Sequence, residues 1–276
     1  MKLSCLPVSM FSDFFTGELD IPKWGTLARN VGFDGFDISC MFVKYHTAVY
    51  LDELRKGITE AGIPLVMVTG YPDFTHPDPA QREREAAYLE NDMALTAQLG
   101  GKYLRVLAGQ NHPEINRAEG VRLAIAGLRQ AAAAASRHGI TLVYENHAKP
   151  GAWHYIDFSF PPELFLEILD GIRDTEVMVN FDTGNATAEY ADPRQEVKLL
   201  EKIGDKLATV HVSDMKAPGV FQPVLVGSGV TPLGEIFACL KEKGFADWLC
   251  IEEVSGMGME GVKKAHDNVR NAWEKA

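Results

Sequence analysis

Four short apolar runs in the second half of the chain each end in, or carry, a side chain able to ligate a metal. TLVYE ends at Glu145, VMVNFD at Asp182 and WLCIE at Glu252, while ATVHV carries His211. Their Val, Ile, Leu and aromatic content is that of buried parallel strands. Successive strand residues face opposite ways. In each run the ligand-type residue shares the smaller, more polar face, with Val143, Asn180, Thr209 and Cys250, while the bulky apolar residues face the other way. The same phase selects Glu252 over Glu253. Three carboxylates aimed into one cavity repel, and their burial is costly unless positive charge sits among them. A divalent cation with an imidazole as fourth ligand answers both problems. One nitrogen and three oxygens with open positions suit Mn2+, Mg2+, Co2+ or Zn2+. A lone acid at a strand end is usually a cap, and a lone strand His usually a satisfied core residue. Four in phase at the same end of consecutive strands favour a shared ion.

The elements that must position these groups follow from a repeat. Gly32, Gly62, Gly100, Gly139, Gly171, Gly204 and Gly244 each follow a helical pattern and precede a short apolar run. A glycine just past a helix end takes the left-handed cap without a Cβ penalty. The spacing, about 30 to 40 residues, is that of one strand, one helix and two loops. The sequence predicts strands at Leu3–Val8, Phe33–Ile38, Pro64–Val68, Tyr103–Leu107, Thr141–Glu145, Val177–Asp182, Leu207–Val212 and Trp248–Glu252. Helices fall between them, several opening near a proline: Pro22, Pro161, Pro193 and Pro232. With no linker or composition break, residues 1–276 read as one domain, a closed (β/α)8 TIM barrel. Helix-to-strand turns are short and strand-to-helix loops long, so the C-terminal ends of the strands form the working face.

Composition narrows the function. The net charge of −11 opposes nucleic-acid binding. No apolar run approaches a membrane span, and the first residues read as a strand rather than a signal peptide. The four scattered cysteines have no CxxC spacing and suit reduced thiols of a cytoplasmic protein.

The series ENH, FDTGN, HVSD and GFADWLCIEE resembles the sugar isomerase/epimerase group of the xylose-isomerase-like TIM barrels, which includes ketose 3-epimerases, hydroxypyruvate isomerase and inosose dehydratase. The resemblance implies one divalent metal on Glu145, Asp182, His211 and Glu252, with Glu145 and Glu252 also serving as acid and base. It implies a ketose or related polyol as substrate, proton transfer through a metal-stabilised enediolate, and a homodimer or homotetramer. Where ketose 3-epimerases carry a His three residues after the Asp ligand, this chain has Asn185; where they carry an Arg six residues after the His ligand, it has Ala217, beside Lys216. Expected substrate contacts are His147, Trp153 and His154 after strand 5, Arg105 and His112 near strand 4, Asn185 and Lys216. Trp153, Phe158 and Phe160 are expected to form a lid. The alternatives are a metal-dependent dehydratase of a keto-inositol or keto-sugar and a non-catalytic sugar-binding barrel. An abasic-site endonuclease would need more His ligands and a basic face.

Overall fold

A computed structural model describes residues 1–190, 192 and 194–276. Eight parallel strands carry the fold: β1 (Lys2–Leu6), β2 (Phe36–Ser39), β3 (Leu65–Thr69), β4 (Tyr103–Val106), β5 (Thr141–Glu145), β6 (Met178–Asp182), β7 (Leu207–Val212) and β10 (Trp248–Glu252). They pair in the order β1-β10-β7-β6-β5-β4-β3-β2. The circle closes between β1 and β2 without a regular ladder. There the amides of Asp34 and Gly35 donate to the Leu3 carbonyl at 2.9 and 3.1 Å. The Leu3 amide donates to Asp34 at 2.9 Å and the Ser4 hydroxyl to Asp37 at 2.5 Å. The expected single-domain TIM barrel is therefore the observed one.

The helices form the outer layer: α1 (Phe11–Thr16), α2 (Ile21–Val31), α3 (Ala48–Ala61), α4 (Pro79–Leu99), α5 (Arg117–His138), α6 (Pro162–Ile172), α7 (Thr183–Glu189), α8 (Arg194–Ile203), α9 (Leu233–Glu242) and α10 (Gly258–Lys275). Side chains of Asp20, Asp78 and Asn116 cap α2, α4 and α5, accepting from amides that the first turn leaves unpaired. Gly32, Gly62, Gly100 and Gly139 end α2 to α5 in the left-handed conformation, as expected. Gly171 is different. It lies inside α6, and a Cβ there would come within 2.3 Å of the Ile125 side chain. This glycine lets α6 approach α5 and caps nothing. Pro193, expected at a helix start, falls outside the described residues.

Two features at the C-terminal ends of the strands depart from the simple alternation of strand and helix. The segment after Asp182 is a short helix, α7, which the Asp182 carboxylate starts by accepting from the Asn185 amide. After β7 the chain forms an antiparallel hairpin, β8 (Asp214–Ala217) and β9 (Val220–Val224), before α9. Asp214 fixes its return: its carboxylate accepts from the amides of Gly227, Gly229 and Thr231 at 2.8–3.0 Å.

Candidate active site

Glu145, Asp182 and His211 come together at the ends of β5, β6 and β7, fully buried, with one ligand atom of each within 4.8 Å of the others. The strand register explains this: Glu145 lies beside Asn180 and Asp182 beside His211 across the ladders. Glu145 is held on several sides. Its Oε1 accepts from Asn180 Nδ2 at 3.0 Å and lies 2.7 Å from His211 Nδ1; its Oε2 lies 3.1 Å from Arg105 Nε. Asn180 is oriented in turn by the Thr209 hydroxyl, 2.7 Å from its Oδ1. Asn146 clasps the two strand ends. Its Oδ1 accepts from the Asp182 amide at 2.8 Å, and its Nδ2 donates to the Asp182 carbonyl at 2.9 Å.

Asp182 divides its two oxygens between two tasks. Oδ1 accepts from the Asn185 amide at 2.6 Å and the Ser213 hydroxyl at 2.8 Å. Oδ2 is buried without a hydrogen-bond partner, as are Glu145 Oε2 and both ring nitrogens of His211. The His211–Glu145 and Arg105–Glu145 approaches are close in distance but lack hydrogen-bond alignment. Buried polar atoms are nearly always satisfied, so these unpartnered atoms, with one ligand atom from each of Glu145, Asp182 and His211 within 4.8 Å of the others, fit a bound divalent cation.

The electrostatics agree. Burial raises Asp182, and the charges of Glu252 and Glu145 raise it further, well above the usual carboxylate range. Burial alone would disfavour a charged His211, yet Glu145 beside it pushes its pKa up to about 9. Burial also works against the Glu145 carboxylate, but His211 and Arg105 more than offset it and hold Glu145 well down. The acids thus draw protons onto Asp182 and His211, a load that a dication would take over.

Glu252 ends β10. Burial raises its pKa while His211 pulls it back, and it remains partly accessible, lining a cavity of about 420 Å³ at the strand ends. Glu253 points elsewhere, buried and bonded to the Ser9 hydroxyl and the Ser255 amide at 2.8 Å, so the choice between the two glutamates follows the expected phase.

The expected substrate contacts divide into two groups. Arg105, His147 and Asn185 line the cavity. Trp153, His154, His112 and Lys216 do not. Trp153 is buried in its loop. His112 Nε2 bonds Asp73 at 2.8 Å, and the His154 amide donates to Gln110 at 2.8 Å; both tie the loops after β3, β4 and β5 to one another. Lys216 is exposed on the hairpin. The expected lid of Trp153, Phe158 and Phe160 is not formed either: Phe158 is buried against Gly120, and none of the three lines the cavity.

Sequence reasoning passed over Tyr71, which also lines the cavity. Its hydroxyl bonds those of Ser39 and Thr69 at 3.1 and 2.9 Å, and the Arg105 guanidinium lies 4.9 Å from its ring centre. It also passed over the cavity's outer wall, where Phe11, Phe15, Met41 and Phe221 converge from three segments.

Residues 26–272 match the family described as the xylose isomerase-like TIM barrel, and the chain belongs to it. No curated protein sequence matches the chain. Among solved structures, the chain is similar to the IolI protein with a bound zinc atom, at 18% identity over 100% of this chain and 99% of that one, with a TM-score of 0.81. It is also similar to D-psicose 3-epimerase of Clostridium cellulolyticum H10 with D-tagatose, at 16% identity over 99% of both chains and a TM-score of 0.77. A third is the probable 3-DHS dehydratase AsbF of Bacillus anthracis, at 15% identity over 98% of this chain and 99% of that one, with a TM-score of 0.74. At these identities the likeness shows the shared fold. The Glu145–Asp182–His211 cluster is able to bind a metal.

Proposed function

We infer that the protein is a divalent-metal-dependent sugar isomerase or epimerase acting on a ketose or related polyol. The observation that carries this reading is the set of unpartnered buried atoms on Glu145, Asp182 and His211, just behind a cavity lined by Glu252 and by their neighbours Arg105 and Asn185. These four residues would hold the ion. A divalent cation held there supplies Lewis-acid polarisation of a sugar carbonyl and its neighbouring hydroxyl. The chain supplies the rest. One of Glu145 and Glu252 takes the proton from the carbon beside the carbonyl, and the other, entering the step protonated, delivers one. Return to the opposite face of the same carbon inverts it; return to the adjacent carbon exchanges ketose and aldose. Arg105 pairs with Glu145 and limits its negative charge, Asn180 orients it, and Asn185, His147 and Tyr71 are placed to bond sugar hydroxyls.

Glu145→Gln and Glu252→Gln each preserve shape and remove a proton carrier. With Mn2+ added and a panel of ketoses and keto-inositols in D2O, the wild type is expected to exchange a substrate C–H for deuterium. Each variant should lose at least about a hundredfold of that rate, the lower end of a typical acid–base contribution. Unchanged exchange in both variants rejects the assignment.

A second reading is dehydration, which starts from the same removal of a proton beside the carbonyl and is the chemistry named for one solved structure of like fold, the probable dehydratase. Loss of water changes product mass, whereas epimerisation and isomerisation do not, so mass spectrometry of the products separates the two.

A further inference from the structure

The cavity has two chemically distinct ends. Its floor carries Arg105, His147, Asn185 and Glu252, all at or beside the proposed ion. Its outer wall is carbon: Phe11, Phe15, Met41, Phe221 and Pro223. The exposed lining is dominated by these groups, although every hydroxyl of a free sugar needs a polar partner once water is excluded.

The wall is built rather than incidental. Phe42 is buried at the centre of an aromatic group from which the wall rises. It stacks on Phe14 with ring centres 4.0 Å apart and meets Phe11 edge-on at 4.8 Å and Phe15 edge-on at 5.8 Å. Phe221 and Pro223 reach the same cavity from the hairpin. Three separate segments, α1, the turn after β2 and the hairpin, therefore deliver apolar side chains to one side of one pocket. Phe15 and Phe221 nonetheless remain 60% and 48% exposed. Side chains of this size leave water only when something covers them.

We propose that the substrate is a keto-sugar bearing an apolar substituent, an aryl or alkyl glycoside, whose sugar ring meets the metal end and whose aglycone packs against Phe11, Phe15, Met41 and Phe221. This inference rests on the proton-transfer reading of the same site and adds the class of substrate. The structure favours an aglycone as the occupant because the apolar wall and the polar floor are parts of one continuous cavity of about 420 Å³. That volume lies in the range of roughly 300–1,000 Å³ seen for sites that enclose drug-sized ligands.

The test uses methyl and phenyl 3-keto-β-D-glucopyranoside as matched probes, titrated calorimetrically into the Mn2+-loaded protein. The phenyl compound is expected to bind at least about tenfold more tightly. In a Phe15→Ser/Phe221→Ser double variant, whose altered positions lie at the surface and not in the core, the ratio of the two affinities should fall to about one. Equal affinities in the wild type, a ratio that survives the double variant, or no binding of the phenyl compound would each overturn the inference. So would a dimer, seen by sedimentation in the wild type and lost in the double variant, since a second copy would then be what covers the wall. Deuterium exchange keeps the two ideas apart. A phenyl preference without C–H exchange leaves the aglycone site standing and removes the reaction; exchange without a phenyl preference does the reverse.

Discussion

Asp182 holds a helix start with one oxygen and keeps the other buried and unpartnered beside Glu145 and His211, so a strand-end acid can cap a helix and still leave an oxygen free for a metal. Asp182→Asn keeps the Oδ1 acceptor and removes the charge. It should preserve α7, as judged by its amide protection, while weakening Mn2+ binding. Asn180 makes the complementary case. It touches Glu145 and Thr209 and is remote from solvent, so Asn180→Ala leaves all four proposed ligands in place but frees Glu145 to turn. Loss of such a supporting contact costs about 10- to 100-fold in metal affinity, measurable by calorimetry with Mn2+. An affinity equal to wild type would show that Glu145 needs no support from β6. The proposed ligands were legible in the sequence because a strand has a period of two, which makes the direction of Glu145, Asp182, His211 and Glu252 a matter of counting. Loop residues have no period. Arg105, on β4, lines the cavity as expected, while Trp153, His154 and His112 were placed near the site on loop membership alone; Trp153 is buried in its own loop and the other two bond neighbouring loops.

The elements show the same divide. Strands β5, β7 and β10 lie where the apolar runs end, since a buried parallel strand must be continuous and apolar and is bounded by polar residues. The hairpin of β8 and β9 was not seen, because its Val220–Val224 strand is short, holds a proline and is partly exposed, so it lacks the alternation that marks a half-buried strand. Gly171 looked like the other helix-ending glycines because small size and left-handed freedom are the same letter in a sequence; only the neighbouring Ile125 tells them apart. On α8, Glu196 is fully buried with both carboxylate oxygens unpartnered. Burial pushes its pKa from 4.5 up to about 8. Between those two values the folded protein binds a proton that the unfolded chain releases, so Glu196 makes stability fall as pH rises through the window and leaves its full penalty above it. Glu196→Gln should raise stability at pH 8.5 by about 4–5 kcal/mol and change it little at pH 4.5. Denaturant unfolding at the two pH values checks both sign and window; an equal effect at both would point to packing instead of charge.

For the whole molecule, the site is a concentration of like charge that the barrel must hold together, in a chain already at −11. A ligand that binds only the folded state stabilises it by mass action, about 2.7 kcal/mol at a hundred times its dissociation constant. Mn2+ should therefore raise the melting temperature by several degrees. The rise should depend on Mn2+ concentration and be largely absent in Asp182→Asn; an equal rise in that variant would place the ion elsewhere.

The join between β1 and β2 carries one further consequence. Seven pairs of neighbouring strands are laced by regular ladders, but this pair is pinned by the Leu3 carbonyl, the Asp34 side chain and the Ser4–Asp37 bond. Mechanically the barrel is a rolled sheet fastened with a few clips, so slow breathing of the wall should begin along that line. Amide deuteration ought to advance from both edges, from β2 toward β3 and β4 and from β1 toward β10 and β7, reaching β5 and β6 last, and the staves that hold Glu145 and Asp182 would then be the most stiffly bound part of the cylinder.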